Sequence, residues 1–321
     1  MQRPGSVAVA MATFRRPDYL RELLPKVLAQ AAQAQVSLGW DFEFAIIVVD
    51  NDPDGSGREA ALSTGDPRLR YVVEPEPGIS CARNRALDLG ADFDVLVFID
   101  DDESPHPGWL GHLLAAKLQH AADAVSGPVQ PVYEGALDAW VTAGDFHQRR
   151  HRAELGTGHE LKRAATNNLL LDMAVVRRLG VRFDDRFRLT GGEDSFFTGQ
   201  LTQRGARLIW CAEAVVDDLV PMTRANRGYI LRRRMSLSNA GARVDVMLAR
   251  PGLERTITRA RCVGRGIAQI VKGGALALGG RVRGSLGRQS EGERFVFGGA
   301  GSVAAGLGVW VSPYRRKPRV A

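Results

Sequence analysis

Three segments in the first hundred residues are apolar almost without interruption: Ser6–Thr13 (SVAVAMAT), Phe44–Asp50 (FAIIVVD) and Val95–Asp100 (VLVFID). A strand that does not alternate with polar residues has both faces buried, which requires helices on either side of the sheet. The intervening sequence supplies them. Pro17–Gln33 carries Leu20, Leu23, Leu24, Val27 and Leu28 at helical spacing, with Pro17 where a helix can start. Leu69–Val73 reads as a further strand, and Ser80–Leu89 as a helix ended by Gly90. This alternation predicts an α/β fold built on a largely parallel sheet. Ligands of such sheets bind beyond the carboxyl ends of the strands. Two of the buried runs end there in an acid, Asp50 and Asp100.

After Asp123 the order is less regular. Ala124–Val132, Thr166–Leu171, Arg207–Trp210 and Ala214–Asp218 read as strands, Asp194–Arg204 as a helix, and the polar, basic Phe146–Arg163 as a mobile loop. The three cysteines, Cys81, Cys211 and Cys262, are widely spaced and include no CxxC pair. Neither a disulfide framework nor a zinc site is expected, and a reducing, cytosolic setting fits. No secretory signal is expected either. Charge is divided sharply: residues 1–220 hold 23 Lys and Arg against 32 Asp and Glu, whereas residues 221–321 hold 20 against 4. An acidic body and a basic tail point to different partners for each.

Four clusters carry chemistry. Asp100-Asp101-Asp102-Glu103 sets four acids after a buried strand, where mutual repulsion and desolvation disfavour the ions. A divalent cation, Mg²⁺ or Mn²⁺, relieves that cost and bridges to phosphate; a solvated acidic loop near Trp109 is the plainer reading. Asp50, before the turn Asn51–Gly57, is placed to accept from a base or ribose, or simply to shape the turn. Gly78–Arg85 opens a helix with Arg83 and Arg85 near its start, suited to diphosphate or to surface ion pairs. Thr190-Gly191-Gly192-Glu193-Asp194 places an acid pair at a helix start, suited to a general base or to an N-cap at Asp194.

In order and spacing these clusters resemble the family 2 glycosyltransferases of the GT-A fold, over roughly residues 6–240. The markers are Ala12-Thr13-Phe14-Arg15-Arg16, Val49-Asp50-Asn51, Gly78 with Ala82-Arg83-Asn84, Phe98-Ile99-Asp100-Asp101-Asp102, and Gly192-Glu193-Asp194. The resemblance implies a Rossmann-like mixed sheet flanked by helices and an inverting transfer from a nucleotide-diphospho-sugar. Thr13 and Phe14 would line the base and Asp50 bind it, most often as uracil. Arg83 would lie by the nucleotide, with Asn84 supporting the turn, and Arg16 and Asp101 complete the donor-binding set. Asp100 would hold the ribose side. Asp102 would hold the metal as part of a D-x-D element, with Asp100 also near it. Asp194 would be the general base and Glu193 would position the acceptor. Where many relatives carry a His after the last core strand, this chain has Asp218, which can bind a metal but cannot donate to phosphate as a cationic His does.

None of the six histidines has metal-ligand spacing; His147 and His151 are weak acceptor-site candidates. Trp109 reads as core, whereas Trp140 and Phe146 divide evenly between acceptor contact and packing.

The expected organisation is a catalytic domain over residues 1–222, with a nucleotide-sugar half to about 105 and an acceptor half beyond it. A basic helical extension follows over 223–321. There Val263, Ile267, Ile270 and Val271 recur at helical spacing among Arg261, Arg265 and Lys272. This pattern suits a membrane interface or packing on the body. Phe295–Tyr314 is uncharged but holds five glycines, which favours an interfacial or re-entrant hairpin over a crossing, with Gly298, Ser302 and Gly306 as a small-residue stripe. The expected partners are a nucleotide-sugar, a glycan or lipid-linked acceptor and an anionic membrane surface at the cytoplasmic face, and no nucleic acid. A sugar nucleotidyltransferase is the competing enzyme class, but it opens with a Gly-rich phosphate loop where this chain has Thr13–Pro17. A non-catalytic membrane-binding protein leaves the acidic clusters without a purpose.

Overall fold

The computed structural model describes residues 3–144 and 154–311. Phe146, His147, His151 and the chain after Val311 lie outside the described residues. In chain order the strands are β1 (Ser6–Thr13), β2 (Glu43–Asp50), β3 (Leu69–Val73), β4 (Val95–Ile99), β5 (Glu103–Pro105), β6 (Ala124–Ser126), β7 (Val129–Tyr133), β8 (Asn168–Asp172), β9 (Leu208–Trp210) and β10 (Val216–Val220). The helices are α1 (Pro17–Leu38), α2 (Arg58–Leu62), α3 (Ile79–Leu89), α4 (Trp109–Gln119), α5 (Ala139–Gly144), α6 (Met173–Leu179), α7 (Glu193–Gln203), α8 (Arg227–Leu248), α9 (Leu253–Val282) and α10 (Leu286–Gly306). Contacts divide the chain into two units. The first holds residues 1–132, 149–188 and 197–219; the second holds 133–148, 189–196 and 220–321.

The first unit is built on a seven-stranded sheet of order β3-β2-β1-β4-β8-β6-β9. Strands β3, β2, β1 and β4 run parallel, whereas β8 is antiparallel to both β4 and β6. The sheet is therefore mixed. The continuous apolar runs divide by the two-residue period of a strand. Val7, Val9 and Met11 of β1, Ile46 and Val48 of β2, and Val95, Val97 and Ile99 of β4 face one cluster, with Leu20, Leu23, Leu24 and Val27 of α1. The alternate residues, including Ala8, Ile47 and Phe98, face a second cluster with Ala82, Ala86 and Leu87 of α3. Each large aliphatic side chain so buried contributes roughly 1.5–3 kcal/mol.

The expected strand Ala124–Val132 is two strands in different sheets. β6 belongs to the large sheet and β7 to a three-stranded sheet of order β5-β10-β7. The break falls at Gly127-Pro128. A Cβ on Gly127 would collide with the backbone carbonyl of Ala214 and the amide of Asn168. Trp109 is fully buried, and its Nε1 donates to Asn168 Oδ1 at 2.9 Å.

The second unit is helical in its larger part. Helices α9 and α10 pack through glycines: a Cβ at Gly266, Gly273, Gly292 or Gly299 would lie under 3 Å from backbone of the facing helix. Gly301 approaches the Met235 carbonyl of α8 in the same way. Buried Glu293 accepts from Arg227 at 2.7 and 2.8 Å and from Gln289 at 3.0 Å. Trp140 packs with Val141, Ile230 and Leu231. Phe295–Gly306 is the continuous second half of α10 and makes no hairpin, and Gly298 and Gly306 serve contacts to α8 and α9; residues 312–314 lie outside the described residues. Among the described residues no helix is long and apolar enough to cross a membrane.

Candidate functional site

At the carboxyl end of β4 the chain makes a tight turn through the four acids. The Glu103 amide donates to the Asp100 carbonyl at 3.2 Å, and Glu103 Oε2 accepts from the Asp100 amide at 2.9 Å. Asn167 Nδ2 donates to the other oxygen, Oε1, at 2.8 Å. Glu103 is thus an internal brace that fixes the acid turn against the start of β8. Burial, then the charge of Asp100, pushes its carboxyl well above the usual range. Neither Glu103 nor Asn167 was singled out for this role by the sequence pattern. The available signal was the pair Asn167-Asn168 opening an otherwise apolar strand.

Two elements grip the turn from opposite sides. Thr13, at the end of β1, donates its hydroxyl to Asp101 Oδ2 at 2.7 Å. Arg16 Nη1 lies 3.0 Å from Asp101 Oδ1 and 2.9 Å from Asp102 Oδ2. Burial pushes the Asp101 carboxyl up to about 6, against the opposing pull of Arg16. Arg83, buried in α3, reaches Asp100 Oδ1 at 3.3 Å. Asp100 keeps 42% of its side chain exposed. Asp218 stands opposite Glu103 in the β5–β10 pairing, and the amide of Leu219 donates to the Asp102 carbonyl at 3.2 Å. Its charge acts on Glu103. The neighbouring Asp217 pairs with His106 at 2.9 Å. Phe14 is half-buried under the Arg15 guanidinium, 5.1 Å from its ring centre. Arg15 itself has φ of 57°, the left-handed region that a non-glycine residue rarely adopts. Thr13, Arg16, Arg83, Asp100, Asp101, Asp102 and Asp218 are therefore gathered around one turn.

Asp50 is turned into the loop that follows β2. It has no exposed surface; Oδ1 accepts from the Asp52 amide at 2.9 Å, and Oδ2 accepts from the Gly57 amide and the Tyr71 hydroxyl, each at 2.7 Å. In this arrangement it holds the turn after β2. Its neighbour Asn51 does the bracing toward α3, accepting from the Gly78 amide at 2.8 Å and donating to the carbonyls of Glu74 and Glu76. Gly78 has φ of 132°, and a Cβ there would lie 2.8 Å from Arg188. Asn84 pins Phe183 through both backbone groups, at 2.8 and 2.9 Å.

Glu193 and Asp194 belong to the other unit. Gly191 and Gly192 have positive φ, and Gly192 lies against Ala240 and Val244 of α8, while Arg243 donates to the Thr190 hydroxyl at 2.8 Å. The start of α7 is thereby tied to α8. Glu193 is buried and Asp194 half-buried. Asp194 stands in the first turn of α7 and not at its N-cap, since the helix begins at Glu193.

Comparisons with known proteins show the family and the fold. The sequence profile described as Glycosyl transferase family 2 matches residues 8–177. The chain is 35% identical over 237 residues to the succinoglycan biosynthesis protein ExoM of Rhizobium meliloti, covering 71% of each. It is 24% identical over 212 residues to the glycosyltransferase AglE of Haloferax volcanii, covering 65% of each. In fold it is similar to GalNAc-T7, solved with UDP, GalNAc and Mn²⁺, at a TM-score of 0.53 and 13% identity, covering 76% of this chain and 48% of that one. It is likewise similar to S. aureus TarS, at 0.50 and 14%, covering 90% of this chain and 55% of that one. The fold is that of the GT-A glycosyltransferases, and the chain belongs to glycosyl transferase family 2.

Proposed function

We propose that this glycosyltransferase takes a sugar from a nucleotide-diphosphate donor, with UDP expected, and passes it to a hydroxyl of a glycan or lipid-linked acceptor with inversion at the anomeric carbon. The observation that carries the reading is the acid turn Asp100–Glu103, held between Arg16 and Arg83 at the carboxyl end of β4. Thr13, Phe14, Arg16, Arg83, Asp100 and Asp101 make up its donor-facing set. The two arginines carry the charge that recognises diphosphate. We place donor binding within residues 1–105, acceptor contacts within 106–222, and the basic 223–321 at the cytoplasmic face of a membrane. ExoM is named for succinoglycan biosynthesis, which supports a place in cell-surface polysaccharide or glycolipid synthesis.

Among the described residues no three Asp, Glu, His or Cys side chains form a complete metal site. The acids present fit a different kind of site, in which one or two carboxylates hold Mg²⁺ or Mn²⁺ and substrate phosphate completes the shell. Burial is the first cause of the raised carboxyls of Asp101 and Glu103, and the charges of Asp100 and Asp102 add to it. Asp102 and Asp100 would hold the cation, with Asp218 beside them. Its chemistry there is to offset charge on the departing diphosphate. Asp194 would take the acceptor proton as that oxygen attacks C1, and Glu193 would orient the acceptor. One base and no covalent intermediate give direct displacement, hence inversion.

A panel of nucleotide-sugars tested for hydrolysis, with and without Mn²⁺, checks the reading. Turnover of one donor that depends on the cation supports it; no hydrolysis and no binding of any nucleotide-sugar in either condition removes it.

A further inference from the structure

Helix α9 is apolar on two opposite faces, and the described residues cover only one of them. The inner face carries Gly266, Gly273 and Gly280, each too close to α10 to accept a side chain. Val263 and Ile270 also turn toward α10, where they meet Gly306 and Gly299. The outer face carries Leu253, Ile257, Ile267, Val271, Leu278 and Val282, which are between 39% and 80% exposed. At 100° per residue these six fall within about 80° of one another, along a helix of about 45 Å. Arg261, Arg265 and Lys272 are exposed along one edge of this stripe. The apolar positions that the sequence suggests as a single face, Val263, Ile267, Ile270 and Val271, are therefore split between a packing seam and an open stripe.

We propose that the outer face of α9 lies in the interface of an anionic lipid bilayer, with the stripe below the headgroups and the flanking cations among them. The reading rests on the membrane partner given above and names the surface that meets it; it does not depend on the catalytic assignment. Charge selects the occupant. Residues 253–282 hold six Arg and Lys and a single acid, Glu254. A second copy of the same face would bring cations to cations, which works against association. A nucleic acid would satisfy the cations and leave the stripe in water. An anionic bilayer satisfies both, and the geometry is that of a helix lying in the membrane plane.

The test is sedimentation of the full-length protein with vesicles of phosphatidylcholine alone and of equal parts phosphatidylcholine and phosphatidylglycerol. The variants are Ile267→Ser/Val271→Ser and Arg261→Ser/Arg265→Ser, all at exposed positions. Wild type is expected to pellet with the anionic vesicles, and each double variant to bind at least roughly tenfold more weakly. The vesicle-free thermal transition and donor hydrolysis are expected to stay unchanged. Wild type left in the supernatant at low salt overturns the membrane reading as a whole. Wild type that pellets together with both variants overturns the assignment to α9 alone. A dimer in sedimentation velocity that the apolar double variant dissolves overturns it in favour of self-association.

Discussion

Arg16 holds Asp102 at 2.9 Å, so the carboxylate assigned to a metal ion already carries a cation of the protein's own. The guanidinium sits on the α1 side of the acid turn and shares its Nη1 with Asp101. A divalent ion and the arginine then compete for one carboxylate. Arg16→Ala is expected to tighten Mn²⁺ binding in the absence of donor, by severalfold in calorimetric titration, and to lower donor turnover because a phosphate-facing cation is lost. Mn²⁺ affinity equal to wild type would show that the two cations do not share Asp102.

Asp102→Asn tests the ligand itself. The change removes charge and keeps shape, so the fold should persist with an unchanged thermal transition, while donor turnover falls below detection. Full activity of this variant, or of wild type in excess EDTA, sinks the metal-assisted reading.

Asp50→Ala is expected to be a stability variant. It strips the acceptor from two buried amides and from the Tyr71 hydroxyl. An unsatisfied buried donor costs about 1–3 kcal/mol, so the urea midpoint should fall clearly. If the midpoint holds and donor affinity collapses instead, Asp50 meets the base, as the family resemblance implies.

That contrast marks what sequence reading reaches. The fold was legible because β1, β2 and β4 are apolar on both faces, which leaves little choice but a covered sheet. The acid turn was legible because four consecutive acids after such a strand are unusual. The partner of each acid was not. Glu103 is braced by Asn167, which lies 64 positions away, and Asp101 is held by Thr13 and Arg16 across 88 and 85 positions. Only the sheet order brings these together. The short strands were blurred for a related reason. β6 and β7 read as one run, and Gly127 breaks it because Ala214 passes too close for any side chain. In the basic tail, four of the glycines that favoured a hairpin, Gly298, Gly299, Gly301 and Gly306, let α10 meet α8 and α9.

The three thiols provide a pH test of the packing. Burial raises Cys81 above the ordinary thiol range, although Arg188, 3.2 Å from its Sγ, pulls the other way. Burial likewise raises Cys262 and pushes Cys211 up to about 11. The thiolate is the reactive form, so iodoacetamide should label the native protein slowly at neutral pH, with Cys81 first because it alone is partly exposed. Its rate should rise only as pH passes the usual thiol value of about 8.5. Arg188→Ala removes the opposing cation and should shift that rise further upward. Peptide mapping that finds fast labelling of Cys81 at pH 7 contradicts the environment described for it.

Asp194 is the remaining assignment and the one on which the chemistry turns. It stands in the first turn of α7, behind two glycines of positive φ, of which Gly192 lies against Ala240 and Val244 of α8. Asp194→Asn keeps size and hydrogen-bonding capacity but removes the ability to accept a proton. A general base contributes about 10²–10⁴-fold to rate. The variant should therefore lose at least roughly 10²-fold in transfer to acceptor while its donor affinity stays within a few fold of wild type. Donor affinity is read by calorimetry and transfer by single-turnover assay, so the two separate cleanly. A parallel Glu193→Gln variant should mainly raise the acceptor KM, because that residue is assigned to orientation. If Asp194→Asn loses donor binding and keeps its turnover per bound donor, Asp194 is a donor ligand, and the base must be sought elsewhere.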